Sequence, residues 1–286
     1  MHLLFLVLVS LLMVIVSAVL SYVLSLVGVD VAATGNMLAL QAVTQLLCFL
    51  LPVLLVVRRY YREEGLGFLR FDLSGDKWTL GLAGVVILLL LTPLIDWSGI
   101  WNNNWHWGGA LAPVEEALRK MGGDSERLME QFLTVDGVWG LVVNLIVIAL
   151  IPAVCEELFF RAGIQNLLQR CFSRRNAAVG MHAAVWVTAA IFSLGHGEIF
   201  AFLPRFLLGA LLGYLYIGGG SLLVNVTVHF FNNAIVVVVY WLMASGQTLL
   251  DPTAPLEVDW ELTSFCFLAA LALLYVSFGK GLKISR

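Results

Sequence analysis

Charge is what this chain has least of. Asp, Glu, Lys and Arg make up 12% of its 286 residues, while apolar residues make up 60%; a soluble domain carries roughly twice that charged share. The shortage excludes an ordinary water-soluble globule and implies a polytopic membrane protein with one helical membrane domain. There is no basic excess either: the formal net charge is -3, and no nucleic-acid partner is expected. Cysteine is scarce. Cys48, Cys155, Cys171 and Cys266 all fall in or beside apolar segments, with none of the spacing of a disulfide framework or zinc ribbon. They are expected to be small buried apolar residues. No internal repeat, low-complexity tract or soluble second domain interrupts the chain. Nor does its start read as a cleaved signal peptide. Residues 3–29 are too long and too weakly led by positive charge, and they are expected to remain as a first span.

What is present is a series of apolar runs. A helical span needs about 20 apolar residues. Eight hydrophobic elements are expected: Leu3–Val27, Met37–Val57, Trp78–Ile95, Val138–Phe160, Ala183–His196, Phe206–Ile217, Leu222–Met243 and Leu262–Phe278. The expected fold is therefore all-α, with about eight transmembrane helices. Lys and Arg placement orients them. With the N-terminus cytoplasmic, 12 of 16 basic residues fall inside: five from Arg58 to Lys77, four from Arg161 to Arg175 and three from Lys280 to Arg286. Arg119, Lys120 and Arg127 fall outside, and Arg205 falls near a membrane turn. Both termini are thus expected to be cytoplasmic. The chain divides into residues 1–137, residues 138–243 and residues 244–286. The first part holds N-terminal helices plus an exterior segment; the last holds an exterior loop and one more helix.

The exterior segment, residues 96–136, is not plain linker. WSGIWNNNWHWGG reads as an interfacial aromatic belt that includes His106. Residues 113–133 read as an amphipathic helix on the outer surface: Pro113 comes early, Glu115 and Glu116 fill the first turn, and Leu118, Met121, Leu128 and Phe132 form the apolar side. GALLG, Gly209 to Gly213, has the spacing for close helix packing inside the bundle.

The polar residues inside the apolar runs carry the functional signal. After 19 uncharged residues, Gly137 to Cys155, comes EELFFR. Ionisable groups in a bilayer are costly and are functional candidates by default. Glu157 and Arg161 stand four apart with the acid first, the favourable order for a helical pair. Glu156 points about 100° away around the helix and has no sequence-local partner. The fifth element ends in FSLGH, with His196, and the seventh carries HFFNN, with His229 and Asn233 on one helix face. Unpaired polar groups in lipid are expensive, so convergence on one cavity is expected. For His196 to reach the depth of Glu156, residues 161–180 are expected to continue as a cytoplasmic or interfacial helix, with the fifth span starting near Ala183. The GHGEIFAFLPR turn is then expected within the membrane, bounding a wet cavity with Glu156, His196, His229 and Asn233 on its wall.

A carboxylate with imidazole and amide groups suits hydrolysis by an activated water. No Ser or Cys stands in a nucleophile motif, and Cys155 is expected to point aside. HExxH is absent. Glu156, His196 and His229 would nonetheless make an acceptable zinc shell, so the cofactor is either none or zinc. A non-catalytic scaffold or bacteriocin-immunity protein, or a small transporter, are the competing readings. Transporter-like repeat symmetry is not found.

Taken together, Glu156, Glu157 and Arg161, then Phe192 and His196, then His229 and Asn233, resemble the EExxxR, FxxxH and HxxxN motifs of the CPBP family, the CAAX proteases and bacteriocin-processing enzymes, also called the Abi family. The resemblance covers residues ~140 to 243 and makes residues 138–243 a candidate catalytic core. It implies an intramembrane endopeptidase, glutamate-type or metallo-. Glu156 and His196 would activate water, His229 and Asn233 would hold the oxyanion, and Glu157 and Arg161 would support the site. The implied partners are the bilayer and a membrane-associated peptide or protein substrate. Compactness and loop charge point to a multi-pass protein of a bacterial cytoplasmic membrane.

Overall fold

The structure, a computed structural model, describes residues 1–31, 33–135, 137–173, 176–248 and 258–282. Among these residues the chain is helical, with no strand. Eight helices are long and apolar enough to cross a membrane, as lipid demands of a chain that must satisfy its own backbone. They are α1 (His2–Leu26), α2 (Thr34–Tyr60), α3 (Gly75–Asn103), α5 (Gly137–Phe172), α6 (Ala177–Leu194), α7 (Ile199–Gly219), α8 (Leu222–Ala244) and α9 (Trp260–Gly279). The amphipathic α4 (Ala112–Leu133) lies between α3 and α5.

Local chemistry sets the ends. The Asn176 side chain caps α6 by accepting from the Val179 amide, and Ser221 caps α8 by accepting from the Leu223 amide. Both relieve amides that a helix start leaves unpaired. Proline sits inside α2 and α5, at Pro52 and Pro152, and a π-helical stretch precedes each, Leu46–Leu50 and Leu145–Leu150. A proline cannot donate and its ring crowds the preceding turn; the wider π turn accommodates both. A third π stretch, Leu158–Gln165, follows Glu157. The EE pair therefore stands on one short α-helical piece between two changes of register.

Packing places α8 at the centre. Of its most apolar window 56% is buried, against 11% for α1, so α8 is held from several sides. Glycine permits the close approach of α3: a Cβ on Gly84 would lie 2.6 Å from Cγ2 of Val228, the neighbour of His229. The GALLG pair packs internally, as expected. Gly209 and Gly213 of α7 face Ala189 and Val185 of α6, where a Cβ would lie 3.1 and 2.8 Å from them. One apolar core gathers Leu6, Val53, Phe159, Phe160 and Phe192 from α1, α2, α5 and α6. Another joins α3, α7, α8 and α9 through Ile87, Leu212, Val228 and Phe278.

Several expectations need correction. The fourth span does not end at Phe160; α5 runs to Phe172, and α6 begins at Ala177 rather than near Ala183. The reason is that residues 161–165 belong to the bundle: Arg161 and Gln165 have no exposed surface. Twelve extra residues, about 18 Å of helix, let α6 start early and still bring His196 to the level of Phe160. Arg161 is accordingly not a loop cation. Cys48 and Cys155 are buried, but Cys171 is exposed and Cys266 is half-buried. The amphipathic helix exists, yet it docks by its ends. Glu115 and Phe132–Leu133 are buried, whereas Met121 is 60% exposed. Asp136, Arg174, Arg175, Lys283, Arg286 and most of the 251–261 loop lie outside the described residues.

Candidate active site

Glu157 is fully buried and holds two partners. Arg161 Nε donates to its Oε2 at 2.9 Å, and His229 Nδ1 lies 2.9 Å from its Oε1. A carboxylate only accepts, so Nδ1 of His229 carries the hydrogen. The expected pairing of Glu157 with Arg161 is present, and α8 adds an imidazole to it. The Arg161 guanidinium also stands over the Phe192 ring, 5.4 Å from its centroid. The Glu157–Arg161 pair thus ties α5 to α8 through His229 and to α6 through Phe192.

Glu156, one residue earlier, has different surroundings. Its Oε1 accepts from Gln45 Nε2 of α2 at 3.1 Å. Its Oε2 is buried, has no hydrogen-bond partner among the described residues, and faces Nε2 of His229 at 4.0 Å. The two carboxylates therefore flank one imidazole, one bonded to it and the other held off.

His196 follows the last turn of α6. Its Nδ1 donates to the Phe192 carbonyl at 2.8 Å, which leaves Nε2 as the acceptor of a neutral ring. Its ring meets Phe192 edge-on, and so does that of His229, at 4.8 and 6.0 Å between centroids. Phe192 is the shared spacer that sets both imidazoles.

Glu156 and His196 line one cavity of about 440 Å³, together with Gln45 and residues of α1 such as Leu11 and Val14. Exposed Leu11, Val14 and Ile191 stand at its mouth, between α1 and α6. His229 and Asn233 are not on its wall. His229 stands behind Glu156. Asn233 lies one turn further along α8, and its Oδ1 accepts from Asn232 Nδ2 at 3.1 Å. Glu156, Glu157, Arg161 and His229 thus form one linked cluster, His196 joins it through Phe192 and the cavity, and Asn233 stands apart. Cys155 is buried and off the cavity. Among the described residues no three His, Cys, Asp or Glu side chains are gathered closely enough to hold a metal ion.

The turn after His196 is exposed at Gly197 and half-buried from Glu198 onward, and side chains from elsewhere in the chain hold it. Asn102 donates to the Ile199 carbonyl and accepts from the Leu203 amide, at 3.1 and 2.7 Å. Glu198 pairs with Arg205. Phe200 is met by the Trp107 ring and by Arg119, whose guanidinium carbon lies 3.8 Å from the ring centroid. The Ile199 carbonyl and the Leu203 amide are thus satisfied by a side chain, which is the other way such a turn is tolerated, and residues 102–119 dock on this turn. His106, expected as a plain belt residue, is bound to Glu115 at 2.9 Å.

Gln45 is the participant that sequence reading missed. It sits mid-run in α2, and its only signal was an uncharged amide among apolar residues. What selects it is its distance to Glu156, 111 residues away in the chain.

A helical membrane protein with a buried carboxylate–imidazole cluster open to an apolar cavity is the class defined by fold and site. Residues 138–235 match the family model described as Type II CAAX prenyl endopeptidase Rce1-like, which is the CAAX protease family that the three motifs resemble. The match spans about a third of the chain and includes each motif residue. No curated protein and no solved structure matches the chain.

Proposed function

We propose that the protein is an intramembrane endopeptidase that hydrolyses a peptide bond in a membrane-associated peptide or protein. The observation that carries this reading is the buried, unpartnered Oε2 of Glu156, 4.0 Å from His229 Nε2, on a residue that lines an apolar cavity. A structural ion pair would use both oxygens. Here one is anchored by Gln45 and the other has no partner among the described residues.

In this reading Glu156 Oε2 takes a proton from the attacking water as oxygen adds to the scissile carbonyl. His196 Nε2, on the same cavity, orients that water. The proton then passes to the departing amine nitrogen, which restores the carboxylate. His229 supplies the oxyanion donor from Nε2; because Nδ1–H is committed to Glu157, Nε2 donates only when the ring carries both protons. Arg161 balances Glu157 during that state. Asn233 joins the oxyanion site once its amide turns away from Asn232. The substrate enters between α1 and α6, where the apolar rim suits a lipid-embedded segment. Both termini face the cytoplasm, following the basic residues of the 58–77 segment.

The test is a cleavage assay of the purified full chain against quenched membrane-peptide substrates, with Glu156→Gln and His229→Ala alongside, each with and without a strong zinc chelator. Loss of the base is expected to cost about 10²- to 10⁴-fold in rate, with wild-type cleavage indifferent to the chelator. Cleavage that survives Glu156→Gln would overturn the assignment. Cleavage abolished by the chelator would overturn the direct water activation.

A further inference from the structure

Gln45 lies outside the stretch 138–235 that matches the family model and outside all three motifs. Yet it is the residue through which α2 reaches Glu156. Its amide is used in one half only. Nε2 donates to Glu156 Oε1 at 3.1 Å, which fixes the amide orientation because the carboxylate can only accept. That leaves Oε1 of Gln45, which is buried and has no hydrogen-bond partner among the described residues. Gln45 also lines the cavity that Glu156 and His196 share. Of the other polar groups there, the Ser10 hydroxyl is committed to the Cys48 carbonyl at 2.7 Å. Gln45 Oε1 and Glu156 Oε2 are thus two buried acceptors without partners among the described residues, one on each member of a single hydrogen bond.

We propose that Gln45 is a positioning and substrate-binding residue of this site, an inference that rests on the peptidase reading above. Its N–H half holds Glu156 so that Oε2, rather than Oε1, faces His229. A carboxylate on a free side chain would rotate, and displacement of a reacting group by about 1 Å costs about 10²-fold in rate. Its C=O half takes a main-chain N–H of the substrate beside the scissile bond. A peptide extended along an apolar cavity brings such donors and finds few acceptors there; a buried acceptor left unpaired is unfavourable until one arrives. The π-helical stretch Leu46–Leu50 begins at the next residue. Such register changes are frequent at functional sites, and this one sets the direction in which position 45 faces α5.

The two halves separate experimentally. The full chain in detergent is assayed with a quenched membrane peptide that the wild type cleaves and Glu156→Gln does not. Gln45→Glu keeps an acceptor and exchanges the donor for a second carboxylate, which either repels Glu156 or shares its proton. It is expected to lower kcat about tenfold or more while KM stays within about twofold. Gln45→Met, of similar length, loses both halves; it is expected to lower kcat comparably and to raise KM about tenfold. Thermal unfolding of each variant accompanies the kinetics, and Gln45→Glu carries the test alone where Gln45→Met does not fold. Both constants within about twofold of wild type, in folded variants, would make Gln45 a packing residue and overturn the proposal. A kcat loss that merely follows loss of folded protein would do the same. Full activity in Glu156→Gln would instead overturn the peptidase reading, and this inference with it.

Discussion

Two Glu–Arg–His clusters in this molecule share one local plan. On α4, Glu115 accepts from Arg119 Nε, four residues on, and from His106 Nδ1, both at 2.9 Å. On α5, Glu157 accepts from Arg161 Nε, four residues on, and from His229 Nδ1, again both at 2.9 Å. Each glutamate even has an acidic neighbour, Glu116 in one case and Glu156 in the other. The surroundings differ. The His106 side chain is 75% exposed, and its cluster is completed by main chain: the Trp107 amide donates to Glu115, and Arg119 donates to the Asn103 and Trp105 carbonyls. Every member comes from residues 103–119, so the cluster closes a loop onto the start of its own helix. The Glu157 cluster has no exposed carboxylate or guanidinium surface, and its histidine comes from 72 residues away. It leaves Arg161 Nη1 and Nη2 and the neighbouring Glu156 Oε2 without partners among the described residues. One cluster is saturated and fastens a loop. The other holds unspent hydrogen-bonding capacity beside a cavity, which is the condition for acting on a substrate.

The sharpest way to break this comparison is to remove each glutamate. Glu157→Ala strands Arg161 and His229 in the bundle, and losing one partner of a buried pair costs about 3–5 kcal/mol. Thermal unfolding in detergent should show a large loss, and cleavage should disappear with it. Glu115→Ala leaves its partners in reach of water, and its loss should be far smaller in the same measurement. Equal losses would erase the distinction.

A second contrast uses glycine. Gly84→Ala drives a methyl against Val228 beside His229; overpacking of this kind costs about 1–3 kcal/mol, and it should reduce cleavage by shifting α8. Gly122→Ala, on α4, meets nothing within 4 Å. It should raise stability by up to about 1 kcal/mol and leave cleavage alone. A harmless Gly84→Ala would mean that α3 does not set the position of His229.

The smallest effect is on pH. The Trp107 amide, then Arg119 and His106, hold the Glu115 carboxyl down to about 2 from an ordinary 4.5. A depressed carboxylate stabilises the folded loop fully above its unfolded value and loses that contribution as pH falls through the folded one. Hydrogen exchange of residues 103–111 should therefore stay slow from neutral pH to about 4.5 and quicken as pH approaches about 2. Glu115→Gln should exchange faster at neutral pH and lack this acid transition. Loosening of the wild-type loop already between pH 6 and 5 would overturn the assignment to Glu115.

Much of this was legible from sequence because lipid leaves few options. A run such as Leu3–Val27 must be helical to satisfy its backbone, and an ionised pair such as Glu157 and Arg161 must find each other within a turn. The interior role of Gly209 and Gly213 was legible for the same reason. Three features were not. The end of α5 at Phe172 was hidden because residues 161–180 read as a separate helix at the membrane edge, although Arg161 and Gln165 are buried in the bundle. The docking of α4 was hidden because its stripe of Leu118, Met121 and Leu128 suggested a uniform apolar face, while burial is confined to its ends. Gln45 was hidden because the two amides of its run, Gln41 and Gln45, name no partner from elsewhere in the chain.

The sequence by itself determined the material: eight apolar spans, a CAAX-protease set of motifs, and an acid–base inventory too costly to leave unpaired in lipid. These follow from composition and from spacings of three or four residues, which a helix converts directly into shared faces. Only the tertiary structure decided what surrounds the two adjacent glutamates: His229 joins the Glu157 pair, and Gln45 anchors one oxygen of Glu156 and leaves the other without a partner among the described residues. That outcome depends on what α2, α6 and α8 bring alongside α5. Contacts across 72 and 111 residues arise from packing, which no local periodicity encodes.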